Sequence, residues 1–464
     1  MKKFELKPSK ENIYNTFIED SIGRDIDVCS FISLLDSLDD DYDAIAINGG
    51  WGCGKTFFVK QIEMILAIYN NFVTNDYADK SDKIKKQYQS LCKKNGIPCA
   101  NELYLPIYYD AWKYDNDDDP VLSIIYEIIS VVNNKYEFDD NNVDFMKLFK
   151  GIADLLNVSG LYDIINSFKR KDELKDIVKS RNLKSKIDEF LDILPIEKAN
   201  KVVVFVDELD RCKPSYAICV LERIKHYFDN DRVIFVFSTN LEELQHSIKC
   251  VYGDNFNAYR YLDRFFDLKI PMLKPDLNKF LEYIDVRNFG FYYDKVAKLV
   301  IEKYNFELRD ISKFYCYLKM TTYNSAHIIT QNFHFTTTKN FCLRCLSPLL
   351  IGLFIYDISL YNSFISGKDS SPFLDIFIRE GMFDEITNAL MDDKSKELTP
   401  SMKEEKYTQL YNAIFNFKED KGNINQIIGD FEINRETKKY ILGITSFLSE
   451  LANDMRNTDS LNYL

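Results

Sequence analysis

The chain holds 464 residues, 46% of them hydrophobic and 28% charged, with a formal net charge of −13. That length exceeds one ordinary core, so two or three domains are expected, and the balance excludes a disordered chain. The acidic excess repels a phosphate backbone, so nucleic acid is not the favoured partner.

After a polar start, DAIAINGG at 43–50 reads as a short buried strand running into a glycine turn, and TFFVKQIEMILAIYNNF then has helical apolar spacing. Residues 75–100 are polar and lysine-rich, the pattern of an exposed helical excursion. ELYLPIYYDAW at 102–112 is a second strand, and DDDPVLSIIYEIISVVNNKY reads as a helix opened by acids and Pro120. Residues 138–200 form a helical insertion of mixed charge. Within it, 168–186 hold eight Lys or Arg against three acids, a spacing that fits a solvated helix better than a binding stripe. KVVVFVDEL at 201–209, RVIFVFSTN at 232–240 and DLKIPML at 267–273 complete five strands, with a helix in YAICVLERIKHYFDN. Strands alternating with helices predict an α/β domain with a largely parallel sheet.

Beyond Lys274 the pattern is helical throughout. The apolar run LSPLLIGLFIY at 346–356 falls short of the roughly 20 residues of a membrane span, so a buried helix is expected there. GKDSS at 367–371 and MDDKSKELTPSMKEEK at 391–406 read as loops or linkers. The expected division is a nucleotide-binding core over 1–274 with insertions at about 75–100 and 138–200, a helical lid over 275–340, and a C-terminal helical domain over 341–464.

Gly49, Gly54, Lys55 and Thr56 satisfy G-x-x-x-x-G-K-[ST], with the strand before and the helix after that this pattern requires. Small residues let consecutive N–H groups curl around phosphates at a helix N-terminus. The cofactor-binding segment is therefore Gly49, Gly50, Trp51, Gly52, Cys53, Gly54, Lys55, Thr56 and Phe57. Lys55 neutralises the outer phosphate oxygens, and Thr56 offers a hydroxyl to Mg2+. Trp51 is expected to pack the loop against the domain rather than stack on a base. At the end of another buried strand, Asp207 is the metal-organising acid and Glu208 the group that orients or deprotonates the attacking water. Asp210 and Arg211 follow, free to pair with each other or with a neighbouring subunit.

These residues resemble the KAP P-loop NTPases. GGWGCGKT, IYYDAWKYDNDDDPV and VVVFVDELDRCKP resemble that family's glycine loop, aromatic segment and acidic strand end, and the likeness covers about residues 20–330. Asp110 stands where the family often carries Asn. Many members carry transmembrane helices between the two nucleotide motifs, whereas GIADLLNVSGLYDIINSF is interrupted by acids and too short to span, which implies the membrane-free form. The resemblance further implies that Asn240 senses the γ-phosphate, that Arg264, with Arg260 one turn earlier, serves as an arginine finger, and that Arg309 reports nucleotide state from the lid. It also implies a homo-oligomer working beside other proteins of a bacterial anti-phage system.

Ten scattered cysteines read as reduced cytoplasmic thiols, and Cys342-x-x-Cys345 as helix packing in the absence of a second pair. His226, His246, His327 and His334 lack metal-ligand spacing. The leading expectation is a cytoplasmic, Mg2+-dependent ATPase that drives a conformational or oligomeric switch. A nucleotide-gated scaffold with little turnover and a nucleic-acid-stimulated motor are the alternatives.

Overall fold

The computed structural model describes residues 7–38, 44–70, 77–100, 102–117, 119–135, parts of 184–191, 199–228, 230–284, 286, 291–328, 336–378, 383–391, 399–417 and 425–445. The basic run at 168–186 and the stretch GIADLLNVSGLYDIINSF lie almost wholly outside them. Two compact units divide the chain, Glu5–Tyr283 and the region from Ile284 onward.

In the first unit, β1 (Ala44–Asn48), β2 (Tyr104–Asp110), β3 (Lys201–Asp207), β4 (Val233–Thr239) and β5 (Leu268–Pro271) form one parallel sheet in the order β2-β3-β4-β1-β5. All five match the strands expected from sequence. β4 is buried along its whole length and β3 at all but its first residue, as a sheet covered on both faces requires. The order places β4 between the glycine-loop strand and the acidic strand, so their ends lie two strand spacings apart, about 10 Å. Register levels those ends: Asn48 pairs with Thr239, Ser238 with Asp207, and Asp207 with Asp110.

Around the sheet lie α1 (Lys10–Ile18), α2 (Asp25–Ser37), α3 (Lys55–Tyr69), α4 (Ser81–Asn95), α5 (Pro120–Lys135), α6 (Pro214–Tyr227), α7 (Leu241–Tyr252), α8 (Ala258–Leu262) and α9 (Leu277–Tyr283). The excursion at 75–100 is helical as expected, but it is not exposed throughout. Ile84, Tyr88 and Cys92 are fully buried, and α4 packs on α1, α2 and α3. Their spacing of four residues sets one apolar side chain per turn on a single face, which the intervening lysines obscure in composition.

The second unit contains α10 (Phe291–Lys303), α11 (Leu308–Ile328), α12 (Thr336–Phe341), a π-turn (Cys342–Leu346), α13 (Ser347–Tyr356), α14 (Ile358–Ile365), α15 (Ser371–Phe377), α16 (Asp384–Ala389), α17 (Pro400–Phe415) and α18 (Arg435–Ile444). Against expectation it also holds an antiparallel hairpin, β6 (Asn425–Ile428) and β7 (Phe431–Asn434). Segment 400–406, expected in a linker, opens α17, because the Thr399 hydroxyl caps its N-terminus; residues 392–398 of that segment lie outside the described residues. The run at 346–356 is buried through Phe354, as expected, and only its end, Tyr356, is exposed. It continues a longer helix, however, and Thr338–Tyr356 is long and apolar enough by length and composition to cross a membrane, with 72% of it buried inside the protein. Cys342 and Cys345 both pack in this core, where burial pushes the Cys342 thiol up to about 12.

Candidate active site

The glycine loop joins β1 to α3. Gly54 adopts φ +96 as the N-cap of α3, a conformation that side chains with a Cβ strongly resist. Gly49 is required for space: a Cβ there would lie 2.7 Å from Cys53 Sγ and 3.0 Å from Met272 Cβ. The N–H of Gly49 donates to the Thr239 carbonyl at 3.2 Å, which anchors the loop to β4. Among the described residues, the N–H groups of Gly52, Gly54, Lys55, Thr56 and Phe57 make no hydrogen bond within the protein. They form a concentration of orphan donors at a helix N-terminus, the arrangement that binds anions. Lys55, buried, donates from Nζ to the carbonyls of Gly49 (2.7 Å) and Gly50 (3.1 Å). Phe57 sends its ring into the core, so only its backbone faces the loop.

Trp51 does not pack into the domain as expected; it is 49% exposed, and its Nε1–H donates to Asp210 Oδ2 at 2.6 Å. The loop is tethered through a polar group rather than a buried ring. Asp210 and Arg211 thus do not pair with each other, Asp210 accepting from Trp51 instead. Arg211 instead forms an ion pair with Glu208 and lies 5.5 Å over the Trp112 ring. A second tether was not legible in sequence. Arg24, buried just before α2, donates to the Cys53 carbonyl at 2.6 Å and also to the Leu273 carbonyl, fixing the loop against the segment after β5. No local motif marks a buried arginine whose acceptors lie 29 and 249 residues away.

At the end of β3, Asp207 is buried at 1% exposure. Its Oδ1 accepts from the Glu208 N–H at 3.0 Å and its Oδ2 from the Tyr108 hydroxyl at 2.9 Å. Burial and the Asp207 carboxylate drive the Tyr108 phenol far above its ordinary range, so it stays a donor. Glu208 follows in the left-handed region at φ 60, strained for a residue with a side chain. Burial, then Asp207, pushes its carboxyl up to about 7, while Arg211 pulls the other way. Asp110 caps the turn Ala111–Tyr114 by accepting from the Lys113 N–H at 3.2 Å.

Asn240 is the N-cap of α7, its Oδ1 accepting from the N–H groups of Glu242 (3.1 Å) and Glu243 (3.5 Å). The cap occupies the amide oxygen and leaves the amide nitrogen as its remaining donor. Arg264 and Arg260 are exposed. Arg264 stands four residues before the first residue of β5, which pairs with Ile45 near the start of β1, so it lies at the end of the sheet opposite the glycine loop. Arg309 is exposed in the first turn of α11, in the second unit.

Thr56, in the first turn of α3, and Asp207, at the end of β3, are hard oxygen donors at the same end of the sheet, and they fit Mg2+, which takes one or two protein oxygens and completes its shell from phosphates and water. Among the described residues, no group of three or more His, Cys, Asp or Glu side chains is placed to hold a metal ion.

No curated protein matches the chain. The model of the KAP family P-loop domain matches residues 30–323, well over half of the sequence. That span takes in the glycine loop, the five parallel strands and the acids at the end of β3, and on this ground the chain belongs to the KAP family of P-loop NTPases.

Proposed function

We propose that the chain hydrolyses ATP by in-line attack of water on the γ-phosphate, and that turnover drives a conformational or oligomeric change. The supporting observation is the pairing of a nest of orphan N–H groups and buried Lys55 with Asp207 and Glu208 two strands away. The nest and Lys55 bind and orient the phosphates. Glu208 takes the proton from the attacking water, a task suited to a carboxyl poised near 7. Asn240 offers its amide N–H to the γ-phosphate. Thr56 and Asp207 would hold Mg2+, which when bound offsets the charge that builds on the phosphate oxygens.

Arg264 cannot serve its own site, since a whole strand length of sheet separates the two. Its finger role therefore requires a second copy of the chain, and ATPase activity per subunit should then rise with protein concentration. Arg309 is assigned to reporting nucleotide state. By its family resemblance the protein would act beside effector proteins in bacterial defence against phage.

A nucleotide-gated scaffold with little turnover is the second reading. It is favoured by the Arg211–Glu208 ion pair, which engages the proposed base. Phosphate release from ATP and Mg2+ separates the two. The wild type should release phosphate, Glu208→Gln should bind ATP but fall on the order of 10²–10⁴-fold in rate, and Lys55→Ala should lose binding. Absence of release from pure protein at every concentration, with binding intact, would leave only the scaffold.

A further inference from the structure

We propose that Lys60 and Tyr108 form a positioning relay that aims Asp207 at the metal shell and refers its orientation to the glycine-loop helix. The inference rests on the nucleotide reading above and gives a role to two residues to which the sequence pattern assigned none, Tyr108 within the aromatic segment and Lys60 on the helix after the glycine loop.

Tyr108 lies on β2, paired with Phe205 of β3 and two residues short of the Asp110–Asp207 pair. From there its hydroxyl reaches the Asp207 carboxylate on the adjacent strand. With the Glu208 N–H on the other oxygen, both carboxylate oxygens are held, one by backbone and one by a side chain. A buried carboxylate held at two points has one rotamer, and its remaining lone pairs have one direction. The backbone contact comes from the strained residue next in chain and cannot by itself fix the carboxylate plane. The tyrosine supplies the second point.

Lys60 connects this pair to the loop. It lies on α3, five residues after Lys55, and its Nζ sits 3.4 Å from the centre of the Tyr108 ring. A cation on the ring face draws electron density from the phenol and strengthens its O–H as a donor. The contact also stops the ring from swinging away from Asp207. A movement of α3 would thus be passed through the ring to the acid, across the strand spacings that separate Thr56 from Asp207. The Tyr108 hydroxyl acts through the Asp207 carboxylate, so it is a positioning residue.

The test is Tyr108→Phe, which keeps the ring and removes the hydroxyl, read by binding of a fluorescent ATP analogue (mant-ATP) in EDTA and across a Mg2+ titration. Affinity in EDTA should match the wild type, and the Mg2+ concentration that gives half the metal-dependent gain should rise about tenfold. Lys60→Met should shift the Mg2+ titration in the same direction by less, and Lys60→Arg should restore it. A wild-type Mg2+ profile in Tyr108→Phe overturns the relay, as does an equal loss of affinity with and without the metal. If Tyr108→Phe does not fold, Lys60→Met carries the same comparison. Wild-type protein that binds no mant-ATP under either condition would instead sink the nucleotide reading itself.

Discussion

The two units bury different kinds of polar group. In the first, Arg24, Asp25, Lys55, Asp119, Asp207 and Asp210 are charged or ionisable side chains below 9% exposure. Among the described residues of the second, the buried polar side chains are Ser312, Thr321, Thr338, Ser347, Thr387, Thr437 and Thr445, hydroxyls only. Most of these donate to a carbonyl one helical turn back, as Ser312 does to Leu308 and Thr387 to Phe383, which satisfies them locally. A buried charge costs several kcal/mol unless it is paired, and a hydroxyl bonded within its own helix costs little. Four of the first unit's six, Arg24, Lys55, Asp207 and Asp210, carry that cost at the glycine loop and the end of β3. The second has a core of stacked and edge-on aromatic rings, with Phe373 touching Phe341, Phe377, Tyr407 and Tyr411. One unit is arranged around charge to be used, and the other around packing.

The contrast can be strained at three points. The largest effect is expected from Phe373→Ala, which empties the centre of the aromatic cluster and should cost about 3–5 kcal/mol, seen as earlier melting and faster proteolysis of the second unit. A loss below about 1 kcal/mol would mean that the cluster collapses into the space, and packing there would not be the governing term.

Asp25→Asn should have an intermediate effect with the opposite sign. Burial, then Asp20, raises the Asp25 carboxyl to about 9 from an ordinary 3.8. Its contribution to stability is complete below pH 3.8 and is lost as the pH climbs toward 9. The Asn variant should therefore match the wild type near pH 4 and melt measurably higher at pH 8. Parallel melting curves at the two pH values would show that Asp25 is not a stored cost.

The smallest effect belongs to Trp51→Phe, which removes the N–H that Asp210 accepts. Because Trp51 is half exposed, water can replace the lost bond, and the penalty should stay near about 1 kcal/mol. The loop should nonetheless loosen, and the apparent ATP affinity of the variant should drop several-fold in equilibrium binding. Unchanged affinity would reduce the tether to a surface contact.

The five strands and the glycine loop were readable because each is encoded locally. A run such as VVVFVD buries both faces of a strand, and the spacing of Gly49, Gly54, Lys55 and Thr56 specifies a loop conformation within eight residues. The helix at α4 was readable in kind but not in burial, since three apolar residues on one face are outnumbered by lysines around them. The hairpin at 425–434 escaped because its two short strands alternate weakly and Ile427 points outward at 74% exposure. In the site, Asp207 and Glu208 were legible at a strand end, yet Arg24, Lys60 and Tyr108 were not. Their partners lie between 29 and 249 residues away for Arg24 and 99 for Tyr108, and nothing in a local pattern records such a pairing.

By itself the sequence determined that a parallel α/β sheet would carry a phosphate loop and an acid pair, because strand burial and loop conformation are short-range properties of the chain. Only the tertiary structure decided that β4 separates the two motifs and that Trp51 reaches Asp210. It also placed Arg211 on Glu208 and Arg264 at the far end of the sheet from the loop. Those outcomes depend on strand order and register, which arise from packing the whole sheet at once and leave no signature in any one segment.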